Sequence, residues 1–181
     1  MSSSTSRRQF LGRSAAIGAG FGVWSGRSPV LRANESALQG LSAACIGVGG
    51  KGSSDTSHIA EQGVSIIGLC DVDGGTVDKK SREFPDAGKF DDFREMLEKL
   101  GDKIDIVTVS TPDHTHAVAA LKAMQMKKHV YCQKPLTWSI HEARLMRQTA
   151  EEMGVVTQMG NQGTSENGLR EAVEVIRSGA I

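Results

Sequence analysis

Gly47-Val48-Gly49-Gly50-Lys51-Gly52 stands between a short apolar run, Ala43-Ala44-Cys45-Ile46, and a segment that reads as a helix. A second apolar run, Val64 to Cys70, ends in Asp71. A glycine-rich turn from strand to helix, with an acid about 20 residues further on, is the layout of a dinucleotide-binding βαβ unit. Each glycine has a physical task in that layout. Gly47 permits the tight turn, Gly49 lets the backbone approach a pyrophosphate, and Gly52 allows helix and strand to pack closely. The first free N–H groups of the helix, with about half a positive charge from its dipole, then face the phosphates. The expected cofactor contacts in the turn are therefore Gly47, Gly49, Gly50, Lys51 and Gly52, and Asp71 is expected to accept hydrogen bonds from ribose hydroxyls. A P-loop is excluded because Gly52, not Ser or Thr, follows Lys51. A methyltransferase fold also uses a glycine turn and a strand-end acid, so the turn alone leaves that alternative open.

Beyond residue 41 the chain alternates between apolar β-branched runs and helical periodicity. Strands are predicted at 43–48, 64–70, 88–90, 104–110, 128–133 and 154–159, and helices at 51–62, 75–83, 91–100, 114–126, 139–153 and 166–178. Ile104-Asp105-Ile106-Val107-Thr108-Val109 is brief and β-branched, as a central parallel strand should be. Ser139-x-x-Glu142 is a capping box, and Gly154 suits the end of that helix. Such alternation gives an α/β fold, a Rossmann-type doubly wound parallel sheet with ligands beyond the carboxyl ends of its strands.

With 21 basic and 21 acidic residues the formal charge is zero, and no basic stripe appears, so nucleic acid and anionic membrane are poor partners. The N-terminus is distinct. Ser6-Arg7-Arg8-Gln9-Phe10-Leu11 fits the twin-arginine export pattern, and the mildly apolar stretch after it carries Arg13 and is too short to be a membrane span. Residues 1–33 are read as a signal peptide with cleavage near Leu31-Arg32-Ala33, and 34–40 as a linker, which implies a periplasmic or other extracytoplasmic location. Cys45, Cys70 and Cys132 make no C-x-x-C pair and fall in predicted strands, where thiols behave as small apolar groups.

Three more segments sit at predicted strand ends: Ser110-Thr111-Pro112-Asp113-His114-Thr115-His116, Tyr131-Cys132-Gln133-Lys134-Pro135-Leu136, and Met159-Gly160-Asn161-Gln162. Together with the glycine turn, this order resembles the Gfo/Idh/MocA oxidoreductases, the family of glucose–fructose oxidoreductase and inositol dehydrogenase, in its twin-arginine-tagged branch. The resemblance covers residues 41 to 181 and sets the methyltransferase alternative aside. It implies a dinucleotide-binding Rossmann domain at 41–160, with 161–181 leading toward a second α/β domain that is missing from this sequence. It also implies that Lys134, matching the lysine of a Glu-Lys-Pro motif, is the catalytic residue beside the nicotinamide. Gln133 departs from the motif by removing a carboxylate next to that lysine. From the residues alone, Lys134 serves equally well as the end of a strand before a rigid turn. Thr111 and Pro112 are implied to line the cofactor cleft with Gln133 and Lys134, and His116 to be a positioning group. His114 and His116, two apart on a helix, point to different faces and make a poor metal pair. Asp113 is expected to cap that helix, and Trp138 to anchor packing.

The chemistry expected is hydride transfer between a nicotinamide and a sugar or polyol. Hydride loss from an alcohol carbon also requires the hydroxyl proton to leave, so a base or strong hydrogen-bond partner must stand within about 3 Å. Asp71 suits the 2′-hydroxyl of NAD and repels the 2′-phosphate of NADP, and no arginine follows it, so NAD is expected over NADP. Lys51 in the turn is able to soften that preference. A sugar or polyol partner is expected only where a C-terminal domain is supplied, with a homo-oligomeric parent implied by the resemblance. By itself this chain is expected to be a nucleotide-holding half with little turnover. A non-catalytic nucleotide-binding module is one alternative. Another is a glycosidase of the same superfamily that uses tightly held NAD as a transient oxidant.

Overall fold

The strands alternate their side chains between two faces, and the helices take up both. In the computed structural model, which describes residues 38–181, Ala43 and Cys45 of the first strand point to one apolar layer while Ala44 and Ile46 point to the other. The export-signal reading and most of the predicted linker lie outside the described residues.

The elements are β1 (Ser42–Ile46), α1 (Gly50–Glu61), β2 (Ser65–Cys70), α2 (Gly74–Ser81), β3 (Gly88–Phe90), α3 (Phe93–Leu100), β4 (Ile106–Val109), α4 (His116–Gln125), β5 (His129–Gln133), α5 (Ile140–Met153), β6 (Thr157–Gly160), α6 (Gln162–Ser165) and α7 (Asn167–Arg177). Six strands form one sheet in the order β3-β2-β1-β4-β5-β6, and every pairing is parallel. That is the doubly wound order, in which the direction of winding reverses between β1 and β4. A crevice opens there beyond the carboxyl ends of the strands. The Rossmann-type sheet read from the sequence is the one observed.

One core layer contains Val64, Leu69 and Val77, the other Leu97, Val107, Val109 and Met124. In α4 the run Ala117, Ala119, Ala120 and Ala123 is buried, so small side chains let this helix sit close to the sheet. The three cysteines are free and buried in β1, β2 and β5. Burial pushes their thiols up, to about 12 for Cys70 and Cys132.

Several boundaries move from their expected places, each for a local reason. β1 stops at Ile46 rather than at 48 because Gly47 turns the chain at φ 78°. The helix expected from 114 begins at His116, after a 3₁₀ turn over Asp113–Thr115. Asp113 does not cap it. Instead the Thr115 hydroxyl and backbone N–H both close on the Pro112 carbonyl. The capping box forms as read, with Glu142 N–H donating to Ser139 Oγ and Ser139 N–H to Glu142 Oε2. Gly154, at φ 65°, ends α5, and β6 starts three residues later than expected, at Thr157. The helix expected over 166–178 is preceded by the short α6, with a break at Glu166. Trp138 anchors nothing among the described residues: it is 75% exposed, as is most of neighbouring Ile140.

Candidate cofactor site

The glycine turn is built by two close approaches. A Cβ on Gly47 would lie 2.7 Å from the Ser110 backbone and 2.9 Å from Thr111 N, so β1 and the end of β4 touch with no room for a side chain. A Cβ on Gly52 would meet the Gly47 carbonyl oxygen at 1.8 Å. The turn therefore folds onto the first turn of α1 backbone to backbone, as the tight-turn and close-packing roles require. Gly49 is the N-cap of α1 but supplies no side-chain oxygen, and no acidic residue sits in the first turn. The leading amides of α1 thus keep their partial positive charge for an incoming anion.

Asp71 closes the other side. Its Oδ2 accepts from Val48 N–H at 3.0 Å and its Oδ1 from Asp73 N–H at 3.1 Å. The carboxylate is thereby locked against the glycine turn, and each oxygen keeps lone-pair capacity for a second donor. A cavity of about 600 Å³ lies between this carboxylate and the end of β4, with Gly47, Gly49, Asp71, Phe93, Thr111 and Pro112 in its lining. Thr111 Oγ1 is buried and lacks a partner, a polar atom that a ligand hydroxyl or phosphate oxygen would satisfy. The uncapped helix start, the locked acid and this orphaned hydroxyl fit a dinucleotide with its ribose at Asp71. A cavity of similar volume, about 590 Å³, lies between α5 and the β5–β6 pair; its lining is mainly apolar, with Met124, Val130, Met146 and Val155, and has Arg147 and Glu151 as its charged members.

His116 joins two loops of the site. Its ring nitrogens lie 2.7 Å from the Pro135 carbonyl oxygen and 2.8 Å from that of Thr111. The ring is 1% exposed, so this histidine is a brace between the Thr111-Pro112 loop and the turn after Lys134. Lys134 itself is exposed at the end of β5, and its peptide bond to Pro135 is cis. His58 and His141 are exposed on helices, and His129 accepts from Val156 N–H at the sheet edge.

Sequence reasoning missed the buried polar cluster beneath the turn. Asp55, on α1, is 7% exposed and collects three donors: Lys51 Nζ at 2.5 Å, Ser110 Oγ at 2.9 Å and Gln133 Nε2 at 2.8 Å. Lys51 is therefore held along α1 by Asp55 rather than standing free over the turn. With the Gln162 amide in the orientation that satisfies both its ends, its oxygen accepts from Gln133 Nε2 at 2.6 Å and Lys51 Nζ at 3.1 Å. Tyr131 joins this cluster through its hydroxyl, whose pKa is raised by burial first and by the Asp55 charge second. A signal was available: Asp55 lies between Gly52 and Thr56 on the face of α1 that packs on the sheet, where an acid needs partners.

The sequence of residues 41–161 matches the model of the GFO_IDH_MocA oxidoreductase family, NAD-binding Rossmann fold. The chain belongs to this family and carries its NAD-binding Rossmann domain. A glycosyl hydrolase family 109 protein of Saccharopolyspora erythraea is 32% identical over 91% of the chain and 41% of that protein. An inositol 2-dehydrogenase of Salmonella typhimurium is 24% identical over 78% of the chain and 43% of its own length. The crystal structure of GenD2 from gentamicin A biosynthesis, in complex with NAD, superposes with a TM-score of 0.63 at 27% identity, over 68% of this chain and 35% of that one. The myo-inositol 2-dehydrogenase of Lactobacillus plantarum shares the fold at a TM-score of 0.69 and 24% identity, covering 78% of this chain and 42% of its own. The chain thus spans well under half the length of these relatives.

Proposed function

We propose that this chain is the NAD-holding part of an oxidoreductase that moves hydride between a nicotinamide and a sugar or polyol. The observation that carries the reading is the cavity bounded by the uncapped start of α1 and the locked Asp71 carboxylate. Bound NAD would supply the hydride acceptor. The backbone amides of Gly49 to Gly52 hold the pyrophosphate, since those of Gly47 and Val48 are already given to the Cys70 carbonyl and to Asp71. Lys51 contributes its amide while its ammonium stays on Asp55. Asp71 accepts from the ribose hydroxyls, and Thr111 and Pro112 wall the cleft. His116 holds the Thr111 loop against the Lys134-Pro135 turn. Lys134 takes or orients the proton of the substrate hydroxyl.

Isothermal titration of the purified chain tests the cofactor. NAD+ should bind at least about tenfold more tightly than NADP+, because the 2′-phosphate meets the Asp71 charge in a partly dry cleft. Tighter NADP+ binding overturns the assignment.

A second reading has support from the glycosyl hydrolase family 109 relative, which matches more of this chain than the dehydrogenases do. There the hydride returns to the sugar in each cycle. Accumulating NADH during turnover by the parent enzyme marks the dehydrogenase, and sugar release without it marks the hydrolase. Export by the twin-arginine route rests on Ser6-Arg7-Arg8-Gln9-Phe10-Leu11. Replacing both arginines with lysine should keep the protein in the cytoplasm, and unchanged export would refute the route.

A further inference from the structure

Gln133 ends β5 just before Lys134, and its surroundings call for a hydrogen-bond donor at that position. Both hydrogens of its amide point at oxygens, one at Asp55 Oδ2 at 2.8 Å and one at Gln162 at 2.6 Å. Its own oxygen accepts from Lys134 N–H at 3.2 Å. The amide also packs directly over Gly160, where an added Cβ would come within 2.7 Å of it. Gln133 is 4% exposed and Asp55 7%. A glutamate at this point would put two carboxylates within hydrogen-bond distance of each other in a nearly dry pocket, where they must either repel or take up a proton to share.

We propose that Asp55 and Gln133 are a matched positioning pair, a carboxylate on α1 that accepts and an amide before Lys134 that donates. Asp55 links the helix behind the glycine turn to the ends of β4 and β5 through Ser110 and Gln133, and Gln133 passes that fixed position to the backbone of Lys134. The pair sets the register between the cofactor-holding turn and the lysine segment. Neither side chain acts on substrate. The role assigned to the pair rests on the NAD reading given above, while the donor–acceptor match is independent of it.

The test is a double-mutant cycle on the purified full chain, read by thermal melting and by NAD+ titration. Q133E should lower Tm by about 5–10 °C and weaken NAD+ binding about tenfold, because it turns two donors into acceptors beside Asp55. D55N alone should do less harm, since its amide oxygen still accepts from Gln133 while Lys51 turns to solvent. The double substitution D55N/Q133E reverses the polarity of the bond, with the amide now on α1 and Gln162 free to turn over. It should recover at least half of the lost Tm and return NAD+ affinity to within about threefold of the parent. A packing role alone would give losses that add, with the double variant worse than either single one, and that result overturns the pairing. If Q133E does not fold, a folded double variant supports the pairing and an unfolded one refutes it. If the parent chain binds no NAD+, the cofactor reading and the positioning role fall together, while the melting cycle still decides the match.

Discussion

Replacing Gly52 with alanine tests the backbone contact on which the whole site is built. The new Cβ would start 1.8 Å from the Gly47 carbonyl oxygen, 2.8 Å from the Gly47 carbonyl carbon and 3.0 Å from Ser110 Cβ. The first two neighbours are backbone, so no side-chain rotation relieves them. To open the shortest contact even to 3.0 Å, α1 must move off the turn by about 1.2 Å, or the turn must unwind by as much. Overpacking of this kind costs about 1–3 kcal/mol, and contacts with rigid backbone fall at the upper end. At a urea slope of about 2 kcal/mol/M, a loss of about 3 kcal/mol lowers the midpoint by about 1.5 M. The same movement pulls the leading amides of α1 away from Asp71. Loss of one charge-assisted hydrogen bond to a phosphate, about 1.5–3 kcal/mol, weakens NAD+ about 10- to 100-fold. Gly74 supplies the control, because its Cβ would meet nothing within 4 Å at an ordinary φ. Gly74→Ala should leave NAD+ binding unchanged and stability equal or up to about 1 kcal/mol higher. A Gly52→Ala protein with the parent's urea midpoint and NAD+ affinity would refute the argument, since it would mean that α1 does not rest on Gly47.

Asp71→Asn should weaken NAD+ by about tenfold and narrow its advantage over NADP+. The substituted amide carries hydrogens on one atom, and either Val48 N–H or Asp73 N–H would then face a donor. An unchanged ratio of the two affinities by titration would mean that the carboxylate does not select the ribose. The three cysteines should resist a thiol reagent at pH 8 in the native chain and react fully in urea, since burial keeps them as thiols. Their raised native pKa also sets a pH trend. The stability they contribute is complete below the unfolded thiol value and is lost as pH rises from about 9 toward about 12. The decline in melting temperature over that window should be shallower in the C70A/C132A variant, and an identical slope would mean that the thiols ionise alike in both states.

The glycine turn and Asp71 were legible in the sequence because their roles come from backbone geometry. A Cβ-free residue at φ 78° and an acid at a strand end leave local signatures that tertiary packing has little freedom to alter. The strand and helix alternation was equally local, so the parallel, doubly wound sheet type followed, and boundaries slipped where a turn or cap settled them, as at Gly47 and Asp113. Trp138 was misread because an aromatic residue before a helix has the same appearance in sequence whether it faces a core or open solvent. Burial is a property of neighbours.

Asp55 marks the division most sharply. Its place on the Gly52 face of α1 signals only that it needs partners, and Lys51 is the one within reach along the helix; its decisive partners, Ser110 and Gln133, lie 55 and 78 residues away. By itself the sequence determined the doubly wound sheet, the glycine turn and the acid facing it, since each depends on residues close together in the chain. Only the folded chain decided where Lys51 points, what His116 braces and why residue 133 must donate hydrogen bonds. Those choices depend on which polar groups are shut away from water together, and that is known only once β1, β4 and β5 lie side by side.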